Sequence, residues 1–205
     1  GVDTSHLVRH ARTATGNAAV VVDETGENLI IVAGGANLLV AGADVRAALS
    51  GAEAGSFVVA QGEIPVEAIA AAAETAEKHG LSFVLNLAPF VPLEEWILRS
   101  ASLLVVNATE AIDTATHLGL GQSSDAVDAV DAASRLRDHL RIDIVATLGG
   151  DGCIVLPQSG GSTSIPSPVV DQVVDTTGAG DAFVGILVAR LARGDALLDS
   201  ARIAT

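Results

Sequence analysis

The rhythm of hydrophobic and polar positions along this chain changes near residue 40. Before it, two short apolar runs, Ala18-Ala19-Val20-Val21-Val22 and Leu29-Ile30-Ile31-Val32, flank the polar stretch Asp23-Glu24-Thr25-Gly26-Glu27-Asn28. Two β-branched runs around a Gly- and Asp-containing turn predict a β-hairpin within residues 14–40. Ala33-Gly34-Gly35-Ala36-Asn37 then breaks the strand pattern. Beyond it, apolar runs of strand length alternate with stretches of helical length. Strands are predicted at 56–61, 81–85, 102–106, 143–147 and 153–156, and helices at 65–79 (ended by Gly80), near 93–99, near 108–117, at 125–140 and at 182–193. Strands that are apolar along their whole length and alternate with helices predict an α/β fold, a mostly parallel sheet with helices on both faces. The segment 14–40 has two readings beside the core at 41–205: a small β lid over one end of it, or a hairpin that extends the main sheet.

Composition narrows the class. The chain has 205 residues, enough for a substantial core; 49% of them are hydrophobic and only 2% aromatic, so Ala, Val, Leu and Ile must fill it. A formal charge of −14 argues against nucleic acid and against anionic membrane surfaces as partners. The single cysteine, Cys153, excludes an intramolecular disulfide and favours a reducing compartment such as the cytoplasm. The chain holds no Met and its pattern breaks off at Ile203-Ala204-Thr205, which predicts an internal piece of a longer protein. His6, His10, His79, His117 and His139 fall on separate elements without metal-ligand spacing, and Asp125, Asp128 and Asp131 recur along one helix as a solvated face.

The densest chemistry lies in Asp175-Thr176-Thr177-Gly178-Ala179-Gly180-Asp181-Ala182-Phe183, which leads into an apolar, Ala-rich segment read as a buried helix. This puts Gly178, Ala179 and Gly180 at a helix N-terminus, where free backbone N–H groups and the helix dipole receive an anion, with the Asp181 carboxylate at its edge. A base beside a phosphate is what phosphoryl transfer to a hydroxyl requires. The plainer alternative is a tight strand-to-helix turn with Asp181 as its cap.

Three strand ends carry further polar groups, at the position where doubly wound folds gather their ligands. Asn107 and Glu110 follow the strand 102–106, as a capping box or as a ligand pair. Thr147-Leu148-Gly149-Gly150-Asp151-Gly152 follows the strand 143–147, as a simple turn or as a loop small enough for a nucleotide to reach its backbone. Glu63 stands just past the strand 56–61, solvated or facing a substrate. No Gly-x-Gly-x-x-Gly follows the first clear strand and no Walker A motif occurs, which disfavours a dinucleotide site and a P-loop.

The wording from Asp175 to Phe183 resembles the signature of the ribokinase-like (PfkB) sugar kinases. Asn107-Ala108-Thr109-Glu110 is similar to the family's second motif, Thr147-Leu148-Gly149-x-x-Gly152 to its nucleotide loop, and Asn86-Leu87-Ala88-Pro89 to its Asn-x-Ala-Pro turn, which reads mainly as structural. The opening Gly1-Val2-Asp3-Thr4-Ser5-His6, the strand start Ala14-Thr15-Gly16 and the corner Gly35-Ala36-Asn37 look like the ribokinase branch more than the adenosine kinase or phosphofructokinase branches. The resemblance runs in order through nearly all of the chain.

It implies a ribokinase-like fold with a small β lid, and ATP-dependent transfer of a γ-phosphoryl group to a primary hydroxyl, D-ribose giving D-ribose 5-phosphate. Another sugar or nucleoside kinase of the family, or a non-catalytic sugar- or nucleotide-binding relative, remains open. The roles it implies are Asp181 as base and sugar contact, and Gly178, Ala179 and Gly180 as an anion hole. ATP would lie on Asn107, Glu110, Thr147, Gly149 and Gly152, and Glu63 would border the sugar hydroxyls. Glu110 would hold Mg²⁺ through water, and Asp175 with the Thr177 carbonyl would hold a monovalent cation, K⁺. The resemblance further implies a homodimer through the lid, with Val20, Val22, Ile30 and Val32 on its buried face. Outside this chain it implies an N-terminal part that grips the sugar and a C-terminal part that completes the adenine pocket and the cation loop.

Overall fold

A computed structural model describes residues 2–22, 28–121, 128–170, 173 and 175–205; the hairpin turn at 23–27 and the start of the helix expected at 125 lie outside the described residues. The opening hairpin is β1 (Asn17–Val22) paired antiparallel with β2 (Asn28–Ala33), in register from Asn17 opposite Ala33 to Val22 opposite Asn28. These two strands form a sheet of their own and do not extend the main one.

The main sheet has six strands in the order β3 (Phe57–Gln61), β4 (Ser82–Asn86), β5 (Leu103–Asn107), β6 (Asp143–Thr147), β7 (Cys153–Leu156) and β8 (Thr163–Ile165). The first four run parallel, because the chain between them is long enough for a helical crossover. Only five residues separate β6 from β7, so β7 turns back antiparallel, and β8 follows it antiparallel. The helices are α1 (Gly42–Leu49), α2 (Val66–His79), α3 (Glu95–Ser100), α4 (Ala108–His117), α5 (Ala129–Leu140), α6 (Ala179–Leu191) and α7 (Leu197–Ala204). Gly80 ends α2 as the sequence predicts.

Side chains alternate across each strand, so every apolar run feeds two cores. On one face Phe83, Leu85, Leu104 and Ile144 pack with Ile69 of α2 and Leu136 of α5. On the other face Val84, Val105, Val145 and Val155 pack with Phe183 and Leu187 of α6 and Ala201 of α7. This second core sets the position of α6, and through it the site. The expectation of a buried helix after Asp181 needs correction. Only Phe183, Val184 and Leu187 of α6 are buried, while Ile186 on the opposite face is 41% exposed. An apolar sequence covers both faces of a helix only if something packs on both, and among the described residues only one face is covered.

Candidate active site

The parallel strands β3, β4, β5 and β6 each end in a polar side chain, Gln61, Asn86, Asn107 and Thr147 respectively. The register sets Gln61 beside Asn86, Asn86 beside Val105, and Asn107 beside Thr147. Counting in twos from Val84, Val105 and Val145 puts Asn86, Asn107 and Thr147 on the face that carries α6. Helix α6 is seated there by Phe183, Val184 and Leu187, which brings its first turn to the polar strand ends.

A cleft of about 160 Å³ collects Asn86, Asn107, Glu110, Thr147, Gly180 and Asp181. A second cleft, about 370 Å³, meets it at Thr147 and Gly180 and runs past Gly149 and Gly152 to Phe183 and Thr205. Residues spread from 86 to 205 in the sequence thus line one continuous surface.

Gly178 is the N-cap of α6, with a φ of 76° that an L side chain adopts only under strain. Among the described residues no side chain caps it, which leaves first-turn amides of α6 open to an outside partner. Ala179 is the exception and a correction to the expected trio: its N–H donates to the Thr176 carbonyl at 3.1 Å, so its amide is already used. The donors that remain in the first turn are the amides of Gly180 and Asp181, neither of which has a carbonyl four residues back within the helix. A Cβ added at Gly178 or Gly180 would meet nothing within 4 Å, so the space over this turn is open.

Asn107 and Glu110 form a reciprocal capping box on α4. The Glu110 N–H donates to Asn107 Oδ1 at 2.8 Å, and the Asn107 N–H donates to Glu110 Oε2 at 2.7 Å. The capping reading holds, and both residues also line the smaller cleft. Burial pushes the Glu110 carboxyl above its ordinary range; the bond from Asn107 opposes this and the nearby Asp113 charge adds to it. In the loop between β6 and β7 the glycines divide. Gly149 faces open space, whereas a Cβ on Gly152 (φ 91°) would lie 2.1 Å from the Ile165 carbonyl oxygen, so backbone packing alone requires glycine there.

Two groups of expected residues lie outside both clefts. Glu63 is exposed and accepts from Asn37 Nδ2 at 3.4 Å, which ties the corner after β2 to the end of β3. Asp175 accepts from the Thr177 N–H at 2.8 Å in an exposed turn, and that bond holds its carboxyl below the usual range. Cys153 is buried, its Sγ 3.2 Å from Thr205 Oγ1, and burial pushes its thiol up, away from reactivity. His117 contacts the Leu93 carbonyl and His139 contacts Glu95, both structural as expected. Among the described residues no three His, Cys, Asp or Glu side chains converge on a metal site. No described helix is long and apolar enough to cross a membrane.

The chain as a whole has counterparts among known proteins. The family model of the pfkB family carbohydrate kinases matches residues 1–205. The chain belongs to that family. It is 35% identical to a ribokinase of Schizosaccharomyces pombe over 206 aligned positions, covering all of this chain and 64% of that protein. It is 30% identical to a deoxyribokinase of Salmonella typhi, covering 90% of this chain and 59% of that protein. The crystal structure of Arabidopsis thaliana ribokinase with ribose and ATP superposes with a TM-score of 0.74 at 26% identity, covering 94% of this chain and 61% of that one. The chain therefore spans less than two thirds of the length of these relatives.

For a carbohydrate kinase, the residue that sequence reasoning passed over is Gln61. Its Nε2 donates to Asp181 Oδ1 at 2.9 Å and to Asn86 Oδ1 at 3.1 Å. Asn86, which reads from sequence as part of a structural turn, itself lines the smaller cleft. The signal that could have found both was the strand-end rule applied to every strand, since each is the polar residue that closes an apolar run.

Proposed function

We propose that the protein is an ATP-dependent sugar kinase whose acceptor is the primary hydroxyl of D-ribose, giving D-ribose 5-phosphate and ADP. The observation that carries this reading is the Asp181 carboxylate on the open first turn of α6, in one cleft with Asn107, Glu110 and Thr147. A primary alcohol is too weak an acid to ionise unaided, so Asp181 accepts its proton as the hydroxyl oxygen bonds to the γ-phosphorus. The bond from that phosphorus to the β–γ bridging oxygen breaks, ADP leaves with the electron pair, and the proton on Asp181 passes to solvent. The amides of Gly180 and Asp181 and the positive end of α6 face the charge that builds on the transferring group.

The nucleotide would lie along the larger cleft beside Thr147, Gly149 and Gly152, its phosphates toward the mouth shared at Gly180. One buried carboxylate beside substrate phosphates is the donor set that suits hydrated Mg²⁺, so Glu110 would hold it through water while Asn107 meets the phosphates; once bound, the ion neutralises phosphate oxygens. Asp175, with its carboxyl kept charged, and the Thr177 carbonyl would be this chain's contribution to a K⁺ site beside the turn. Glu63, joined to Asn37, would border the sugar from the side of the β1–β2 sheet.

Residues 14–40 would serve as a lid over the core at 41–205, and as the contact of a cytoplasmic homodimer. Ribose is preferred as acceptor because the ribokinase relative is matched over the whole chain; 2-deoxyribose is the second reading, favoured by the deoxyribokinase. The test is coupled ADP release by the protein expressed from its whole gene, over ribose, 2-deoxyribose, other pentoses, hexoses and nucleosides. The expected outcome is the highest kcat/KM with ribose. A nucleoside or hexose preferred over ribose would overturn the acceptor, and ATP binding without turnover of any acceptor would favour a non-catalytic relative.

A further inference from the structure

Three polar side chains join into one chain across the end of the sheet, and its last link is the carboxylate assigned as base. Asn86 is buried at 6% exposure, and its Nδ2 donates to the Val105 carbonyl at 3.3 Å. A carbonyl only accepts, so this contact fixes which end of the Asn86 amide is nitrogen and turns Oδ1 toward Gln61. Oδ1 also only accepts, so Gln61 must present its NH₂ group, which reaches Asn86 Oδ1 at 3.1 Å and Asp181 Oδ1 at 2.9 Å. Turning the Gln61 amide over would set its oxygen against two acceptors, one of them a carboxylate. The orientation is therefore determined from the β5 backbone outward, and both hydrogens of Gln61 Nε2 are used.

We infer that Gln61 is a positioning residue for phosphoryl transfer: it holds Asp181 Oδ1 so that Oδ2 is left to take the proton of the acceptor hydroxyl. The inference rests on the proposed role of Asp181 as base. The side chain of Asp181 is exposed on the first turn of a helix and has several rotamers open to it. A donor anchored to the sheet through Asn86 selects one of them. The donor is uncharged, so it orients the carboxylate without the ion pair that a lysine or arginine would form, which would weaken it as a base. The step needs this, since a reacting group displaced by about 1 Å loses on the order of 100-fold in rate.

The test is steady-state kinetics of the protein expressed from its whole gene, with Gln61→Leu, Gln61→Glu, Asp181→Asn and the double variant Gln61→Leu/Asp181→Asn. Losing one bond to a charged group predicts a fall in kcat of about 10-fold or more for Gln61→Leu, with the KM for ATP held within about twofold. Gln61→Glu keeps the shape and replaces the donor by an acceptor facing Asp181, so it should lose at least as much as Gln61→Leu. A merely structural role would instead leave the variant of matching shape the more active. On the Asp181→Asn background, Gln61→Leu should cost much less than it does alone, because the residue acts through that carboxylate. Wild-type kcat in Gln61→Leu beside an inactive Asp181→Asn overturns the role of Gln61 and leaves the base standing. Near wild-type turnover in Asp181→Asn overturns both. Equal losses on the two backgrounds also overturn the inference, since they would mean that Gln61 acts by another route.

Discussion

Two carboxylates share the smaller cleft, and their surroundings divide the work between them. Asp181 is exposed and held at one oxygen by Gln61, so it has an oxygen to offer a substrate. Asp181→Asn keeps the shape and removes the proposed base; kcat should fall by roughly 100- to 10,000-fold while ATP binding, measured by calorimetry, is largely kept. Glu110 is buried at 8% exposure and pinned by the Asn107 amide. Burial is the main cause of its raised carboxyl pKa, and a raised folded-state value has a definite sign in the stability of the fold. The folded state then binds the proton more readily than the unfolded one, so this group's contribution declines as pH rises through and above the ordinary carboxylate range. Glu110→Gln still offers an oxygen to the Asn107 amide and has no charge to bury. Thermal melts should show the variant gaining on the wild type at pH 7 relative to pH 4, while its Mg²⁺ requirement rises and its kcat falls. A variant that loses stability at pH 7 and keeps its Mg²⁺ dependence would reduce Glu110 to a cap.

At the scale of elements, helix α6 separates what fold and function ask of its glycines. Gly178 is held by its backbone conformation, but Gly180 lies inside the first turn, where a Cβ would meet nothing. Valine has a somewhat better helix propensity than glycine, so Gly180→Val should fold with an unchanged or slightly higher Tm. The same side chain fills the space over the amides, and kcat should fall on the order of 100-fold, as when one preorganised donor is lost. Intact kcat in the folded variant would remove the anion hole. Most of the elements that build this site were legible in the sequence, because β3 to β7 are apolar runs and α2 ends at its Gly80. What escaped has physical reasons. Helix α1 buries no residue fully and so lacks a strong apolar stripe, and β8 is three residues, two of them hydroxylic. The antiparallel turn of β7 follows from a connection length and leaves no mark on the strand's own composition. The polar residues Asn107, Thr147 and Asp181 could be read from their motifs, and the structure brings them to one cleft. Gln61 belongs to no such motif; its place at a strand end marks it, but its link to Asp181, 120 positions away, leaves no local pattern.

At the scale of the molecule, β1 and β2 form a two-stranded ribbon that, among the described residues, pairs with no other strand. An isolated two-stranded sheet is marginal in water, and Ile31 and Val32, neighbours on opposite faces of β2, are 57% and 64% exposed. A ribbon with apolar side chains open on both faces would be well served by the two covers proposed above, the sugar end of its own subunit and the same ribbon of a second subunit. The side chains of Val20, Val22 and Ile30 lie outside the described residues, but the register of β1 and β2 puts Val20 opposite Ile30, so a charge at both positions strikes one spot on one face. If the proposed dimer forms through this ribbon, the wild type should sediment as a dimer and the double variant Val20→Asp/Ile30→Asp as a folded monomer, with a raised KM for the sugar and its affinity for ATP kept. Because the ribbon shares no strand pairing with the main sheet among the described residues, the cooperative melting of the core should survive the change. Loss of the whole fold would mean that the ribbon is part of the core after all. A folded variant that remains a dimer with normal sugar affinity would remove the ribbon from both the interface and the lid.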